Sequence, residues 1–222
     1  MALPLKRTLG EMRTELAARL GFGAQGAAGV NQSLLSSFLK TAQDELYWQY
    51  EFEELRQTTE DEDATKITTG IGQILYDYPD DCEPRRIIEV AVQNSKTWNI
   101  LHEGIDASHD SVADGQALPR RFDRRAQLEI WPQPNTSYPL RIEYYRRPAR
   151  FTLNGDRATV DDNLIFLHAL VSAKQHYNQK DAPTYAQQLN HVLLRYRSKS
   201  SGDKRFVRGG SSQTSQPRPE VI

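Results

Sequence analysis

The chain has 222 residues, 38% of them hydrophobic and 26% charged, with a formal net charge of -1 and a mean hydropathy of -0.68. These numbers fit one folded domain, or one domain with an insertion, and supply no global field aimed at nucleic acid or membrane. The single cysteine, Cys82, excludes an internal disulfide and a cysteine zinc site.

A first helix is predicted from Thr8 to Leu20. Leu9, Met12, Leu16 and Leu20 form one stripe, Thr8 caps it, and Glu11 completes a capping box. Gly21-Phe22-Gly23 ends it and a glycine-rich link runs through Gly29. Asn31 then caps a second helix to Tyr50, with Leu34, Leu35, Phe38, Leu39, Ala42 and Leu46 at helical spacing. After Phe52 the pattern changes to short strands: Leu55 to Thr58, Ile67 to Thr69, Gln73 to Tyr76, Ile87 to Val92, Trp98 to Leu101, Gln127 to Trp131 and Leu140 to Tyr145. In the last of these, Leu140, Ile142 and Tyr144 point one way and Arg141, Glu143 and Tyr145 the other. Turn clusters at Tyr78-Pro79-Asp80-Asp81 and Pro132-Gln133-Pro134-Asn135 separate strands, which suggests a small antiparallel sandwich or barrel. Glu103 to Arg120 reads as an exposed loop.

Helical spacing returns at Asp161. Asp161 or Asp162 is placed to cap a third helix reaching Asn178, with Leu164, Leu167, Leu170 and Val171 inward. A fourth helix starts near Asp181-Ala182-Pro183 and repeats Tyr185, Leu189, Val192, Leu193 and Tyr196. The fold class is therefore α+β: a four-helix bundle (1–52 and 158–199) with an antiparallel β-domain (53–157) inserted between helices 2 and 3. From Ser200 to Ile222 the chain is polar and glycine-rich, the composition of an extended C-terminal arm that orders on binding a partner.

Chemistry is sparse. Gly21-Phe22-Gly23-Ala24-Gln25-Gly26 has dinucleotide-binding spacing, but it follows a helix where the phosphate turn needs a strand. The five histidines lack metal-binding spacing, and His168 reads as a packing residue. His109-Asp110-Ser111 places triad-type side chains too close in sequence for in-line hydrogen bonds. Glu60-Asp61-Glu62-Asp63 has the composition of a cation site or a glycosidase acid/base pair, but crowded acids in a strand-to-strand loop are more often solvated. A non-enzymatic protein with no cofactor and no metal is expected. Charge is unevenly distributed. Nine carboxylates stand against Arg56 alone between Gln43 and Ala64, and eight arginines lie between Pro119 and Phe151. Two solvated faces explain this, and so does an acidic surface that meets a basic surface on a neighbouring copy. The arginines beside Trp131, Tyr144 and Tyr145 also fit nucleic-acid contact, though strand alternation accounts for most of them.

Several phrases occur together in order: Gly72-Gln73-Ile74-Leu75-Tyr76-Asp77-Tyr78-Pro79-Asp80-Asp81, Leu128-Glu129-Ile130-Trp131-Pro132-Gln133-Pro134 and Leu140-Arg141-Ile142-Glu143-Tyr144-Tyr145-Arg146-Arg147-Pro148. They are followed by Asp161-Asp162, Ala173-Lys174 and Asp181-Ala182. The set resembles the head-to-tail adaptor (connector, or neck) proteins of tailed bacteriophages. That resemblance implies a virion protein, assembled in the host cytoplasm, that forms a ring of usually about twelve copies beneath the portal. Its partners are then the portal protein, neighbouring copies, a downstream tail or nozzle protein, and packaged DNA passing through the channel without specific binding; no membrane is involved. The resemblance also implies portal docking by the C-terminal arm, with Phe206, Val207, Val221 and Ile222 as apolar anchors and Lys204, Arg205 and Arg208 as polar contacts. Arg146 and Arg147 are candidates for the interface between copies. Alternative readings are a tail-associated cell-wall enzyme or carbohydrate-binding module, and a more distal stopper or tail-completion protein.

Overall fold

The computed structural model describes residues 6–22, 31–61, 66–106 and 115–202, with side chains to residue 197. Outside them lie Gly23 to Gly26 of the glycine motif, Glu62 and Asp63, the His109-Asp110-Ser111 group, and all seven expected arm contacts.

Thr8 starts α1 (Leu9–Arg19) as its spacing predicts. Its hydroxyl accepts from the Glu11 amide at 3.2 Å, and the Glu11 carboxylate accepts from the Thr8 amide at 2.7 Å. The helix ends in a Schellman turn: Gly21 adopts φ +83°, its amide donates to Ala18 O, and the Phe22 amide donates to Ala17 O. Helix α2 (Gln32–Gln49) also forms as expected, but Asn31 gives it no side-chain cap. Asn31 already has helical φ and ψ (-87° and -3°), whereas a capping side chain needs an extended backbone to reach the first-turn amides.

Nine strands follow among the described residues: β1 (Arg56–Thr58), β2 (Ile67–Thr68), β3 (Leu75–Tyr76), β4 (Cys82–Asn94), β5 (Thr97–Ile100), β6 (His102–Glu103), β7 (Arg121–Arg124), β8 (Leu128–Trp131) and β9 (Pro139–Arg146). One sheet has the order β1-β9-β4-β5, with β2 also on β9, and is antiparallel throughout. The other, β3-β8-β7-β6, is antiparallel except for the parallel β6–β7 pair. Leu140, Ile142 and Tyr144 enter a shared core with Val90, Val92, Phe122, Leu128 and Ile130, so the alternation read from β9 is the one observed. Two departures have local causes. Strand β4 is longer than its hydrophobic pattern suggests because register shifts between Cys82 and Ile87, and between Ile87 and Glu89, break its alternation. Strands β6 and β7 escape prediction because their pairing uses the backbone of mostly polar residues, and β6 falls at the start of the expected loop.

Helix α3 (Asp162–His176) is buried on nearly every side. Leu164 to Leu167, Ala169 to Val171 and Ala173 pack among α1, α2 and α4 (Ala182–Gly202). The two adjacent aspartates before it divide the work. Asp161 is the cap, accepting from the Asn163 and Leu164 amides at 2.9 and 3.1 Å. Asp162 instead accepts from Arg7 Nε at 2.6 Å, while Arg7 Nη1 reaches Glu15 at 2.7 Å. The Arg7 guanidinium also lies 4.9 Å from the Phe166 ring centroid. At the far end of α3 the nearly inaccessible Lys174 ammonium donates to Gln179 Oε1 at 2.7 Å and Asp181 Oδ2 at 2.8 Å. Gln179 Nε2 donates to Leu20 O at 2.9 Å, so the α3–α4 turn is tied to the end of α1.

Burial opposes ionisation of Asp162, but the hydrogen bonds and positive charge of Arg7 outweigh it and hold the carboxyl below its ordinary range. The clamp is therefore complete above the unfolded aspartate pKa of about 3.9 and is lost as pH falls through the lower folded value. Asp162→Asn is expected to lower Tm at neutral pH and to converge on the parent in acid. A constant gap in Tm from about pH 7 to pH 2 contradicts this.

Candidate functional site

A side chain of β4 joins the end of helix α2 to the first sheet. Arg86 Nη1 donates to Tyr47 O and Nη2 donates to Tyr50 O at 2.9 Å, satisfying carbonyls that the helix end leaves open. The same guanidinium lies 4.6 Å from the Tyr47 ring centroid and 5.1 Å from that of Tyr145 on β9. Tyr145 belongs to the helical core although its strand belongs to the sheet. Beside it, the Tyr47 hydroxyl donates to Tyr145 O at 3.3 Å and Gln43 Nε2 donates to Ala149 O at 2.9 Å.

The phrases that carried the resemblance turn out to be structural joints. In the first, the Tyr76 hydroxyl donates to Gln73 O at 2.7 Å, and Gly72, at φ +72°, donates its amide to Pro134 O at 2.9 Å. That bond joins the first phrase to the second, as does pairing of Leu75 with Glu129. The Tyr144 hydroxyl of the third phrase donates to Asp81 Oδ1 at 2.7 Å, and the Arg147 amide donates to Asp81 O at 2.8 Å. Burial, reinforced by Asp81, pushes the Tyr144 hydroxyl pKa up. The last two phrases meet in the Lys174–Asp181 pair.

Much of the arginine run is neutralised within the chain. Arg124 makes two 2.7 Å bonds to Glu103, and Arg125 lies 3.1 Å from Asp123 and 3.0 Å from Glu129. Arg141 contacts Glu89 at 2.5 Å with its guanidinium 5.0 Å from the Trp98 centroid. Arg147 reaches Glu83 at 3.1 Å yet stays about half exposed, and its neighbour Arg146 is exposed. The Arg124–Glu103 and Arg141–Glu89 pairs run across neighbouring strands and stabilise the sheets, while the Arg125 pairs close the β7–β8 turn.

Between α2 and residues 147–152 lies an open cleft of about 560 Å³, lined by Lys40, Tyr47, Trp48, Arg147, Arg150 and Phe151 among others. Trp48 is 54% exposed at its edge. Sequence reading passed over this cleft, because its walls come from chain segments 100 residues apart; an aromatic on the polar side of α2 was the one available signal. Chemistry is otherwise scarce. Among the described residues no group of three metal-ligating side chains comes together. The Asp61 carboxylate accepts from the Thr58 amide at 2.8 Å and so shapes a turn. Burial pushes the Cys82 thiol up to about 12, which makes it unreactive. His168 is lowered by burial against the pull of Glu45, 3.4 Å away, as befits a packing histidine. No described helix is long and apolar enough to cross a membrane.

A family model described as SU10 adaptor protein matches residues 7–213. The chain belongs to this phage adaptor family. The match runs from the Arg7 clamp, through both helix pairs and the sandwich, and past the end of α4. A phage adaptor is a virion component that engages other virion components, and the family is structural rather than enzymatic. No curated protein matches the chain.

The Arg86 junction has a measurable consequence. Arg86→Ala removes two carbonyl partners and two ring contacts at once, and is expected to cost about 2 kcal/mol in urea unfolding. Arg86→Lys should recover only part of this, since an ammonium lacks the planar fork. Full recovery by lysine contradicts the bidentate role.

Proposed function

We propose that this adaptor-family chain forms a ring of about twelve copies beneath the portal, joins capsid to tail, and continues the DNA channel. The four helices act as one bundle (1–52 and 158–199), the β-rich insertion (53–157) faces outward or toward the next neck component, and the C-terminal arm docks on the portal. Lys204, Arg205, Phe206, Val207, Arg208, Val221 and Ile222 are the arm's contacts in this reading. Arg146 and Arg147 contribute to the interface between copies. DNA passes without specific binding, and the assembly sits in the virion neck after forming in the host cytoplasm.

The observation that carries the proposal is the family match, which continues beyond α4 into the arm. Physical chemistry supports the division of labour. A braced helix–sheet body keeps its shape under load, while a polar arm buries a large interface only once a partner is present. Weak contacts repeated around a template also gain from effective concentration.

The test is the mass, by light scattering, of the portal ring mixed with intact chain or with a truncation ending at Gly202, which keeps all of α4. A portal-sized complex that gains many copies, and loses them on truncation, is expected. Failure of both forms to associate contradicts the portal-bound reading. Reversing Arg146 and Arg147 together should reduce virion assembly beyond the effect of losing the Arg147–Glu83 pair, which Glu83→Gln alone measures; assembly no worse than that of Glu83→Gln removes them from the interface.

A further inference from the structure

We infer that the cleft beside Trp48 receives the acidic turn Glu51–Glu54 of a second copy of this chain, an inference that rests on the ring reading above. The cleft combines an exposed tryptophan with Lys40, Arg147 and Arg150. Its acids are fewer: Glu83 already faces Arg147, leaving exposed Asp44. Tryptophan and arginine are residue types that dominate binding hot spots. Among the described residues the cleft lining carries three bases, Lys40, Arg147 and Arg150, against two acids, Asp44 and Glu83.

The complementary surface is built just as firmly. Glu53–Leu55 is a 3-10 turn whose neighbours Phe52 and Leu55 are buried, so Glu51, Glu53 and Glu54 project outward from a fixed backbone. The Glu53 and Glu54 side chains are 63% and 53% exposed. Their contacts to Arg56 and Lys6 involve partly exposed bases and are readily exchanged. The two surfaces flank the C-terminal end of α2, with Trp48 on the cleft and Glu51 opening the turn three residues later. The cleft takes Glu83 from the β4 side of β9, whereas the acidic turn leads into β1 on the opposite side of β9. A contact between unlike surfaces is head-to-tail, the kind that closes rings.

The test uses full-length chain and its portal. Lys40→Glu with Arg150→Glu is expected to reduce the copies gained by the portal at least tenfold, with far-UV circular dichroism unchanged. Adding Glu53→Lys and Glu54→Lys to the same chain should restore them. Carbodiimide coupling on mixed light and heavy-isotope copies supplies a second readout. The expected result is an amide between Lys40 of one copy and Glu51, Glu53 or Glu54 of another, formed with loss of water to the reagent; the Lys6–Glu54 pair within each chain is the positive control. A parent-like ring formed by the Lys40/Arg150 variant, or a ring that yields the control link without the Lys40 link, overturns the inference while leaving the ring reading intact. A parent chain that adds no copies to the portal overturns both.

Discussion

Helix α2 ends in carbonyls that no further turn can satisfy, and the sheet answers them with the guanidinium of Arg86. Everything else in the molecule is arranged around that junction. The charge satisfies the helix end, the planar group lies between Tyr47 and Tyr145, and Tyr145 carries the sheet's outer face into the helical core. Arg86 works alongside the Tyr47–Tyr145 and Gln43–Ala149 hydrogen bonds and the burial of Tyr145 in the helical core. With it, a displacement of the sandwich is passed directly to α2, and from there to α3, which touches every other helix.

Two further charged joints complete the frame. Arg7 ties the chain's beginning to the start of α3, and Lys174 ties the α3–α4 turn to the end of α1. Lys174 is almost fully buried and Arg7 partly exposed, and each has at least two side-chain hydrogen-bond partners, so neither charge is left uncompensated. The sandwich is organised differently, around an apolar core between two sheets with arginine–carboxylate pairs on its outer surfaces. Those pairs neutralise Arg124, Arg125, Arg141 and Arg147 within the basic segment.

Local signals were legible where local physics decides. The Thr8–Glu11 box, Gly21, the Asp161 cap and the alternation of β9 all form within a few residues of the chain, and all stand as their patterns suggest. Where tertiary contacts decide, the pattern was silent or misleading. Asn31 has capping chemistry and a helical backbone, β4 hides its length behind bulges, and β6 and β7 pair through polar segments. Arg86 gave no local signal because its partners Tyr47, Tyr50 and Tyr145 lie elsewhere in the sequence. The Trp48 cleft was invisible for the same reason. Function was legible only through ordered phrases, and those phrases mark joints of the fold.

The account stands or falls on where this body sits in the virion. Cryo-electron microscopy of the intact neck, with the helix–sandwich subunit fitted to the map, addresses that directly. The account predicts a closed ring of these subunits on the portal's tail-facing side, with density for each C-terminal arm running onto the portal. Subunits found only at the tail tip, or separated from the portal by another ring, would contradict it.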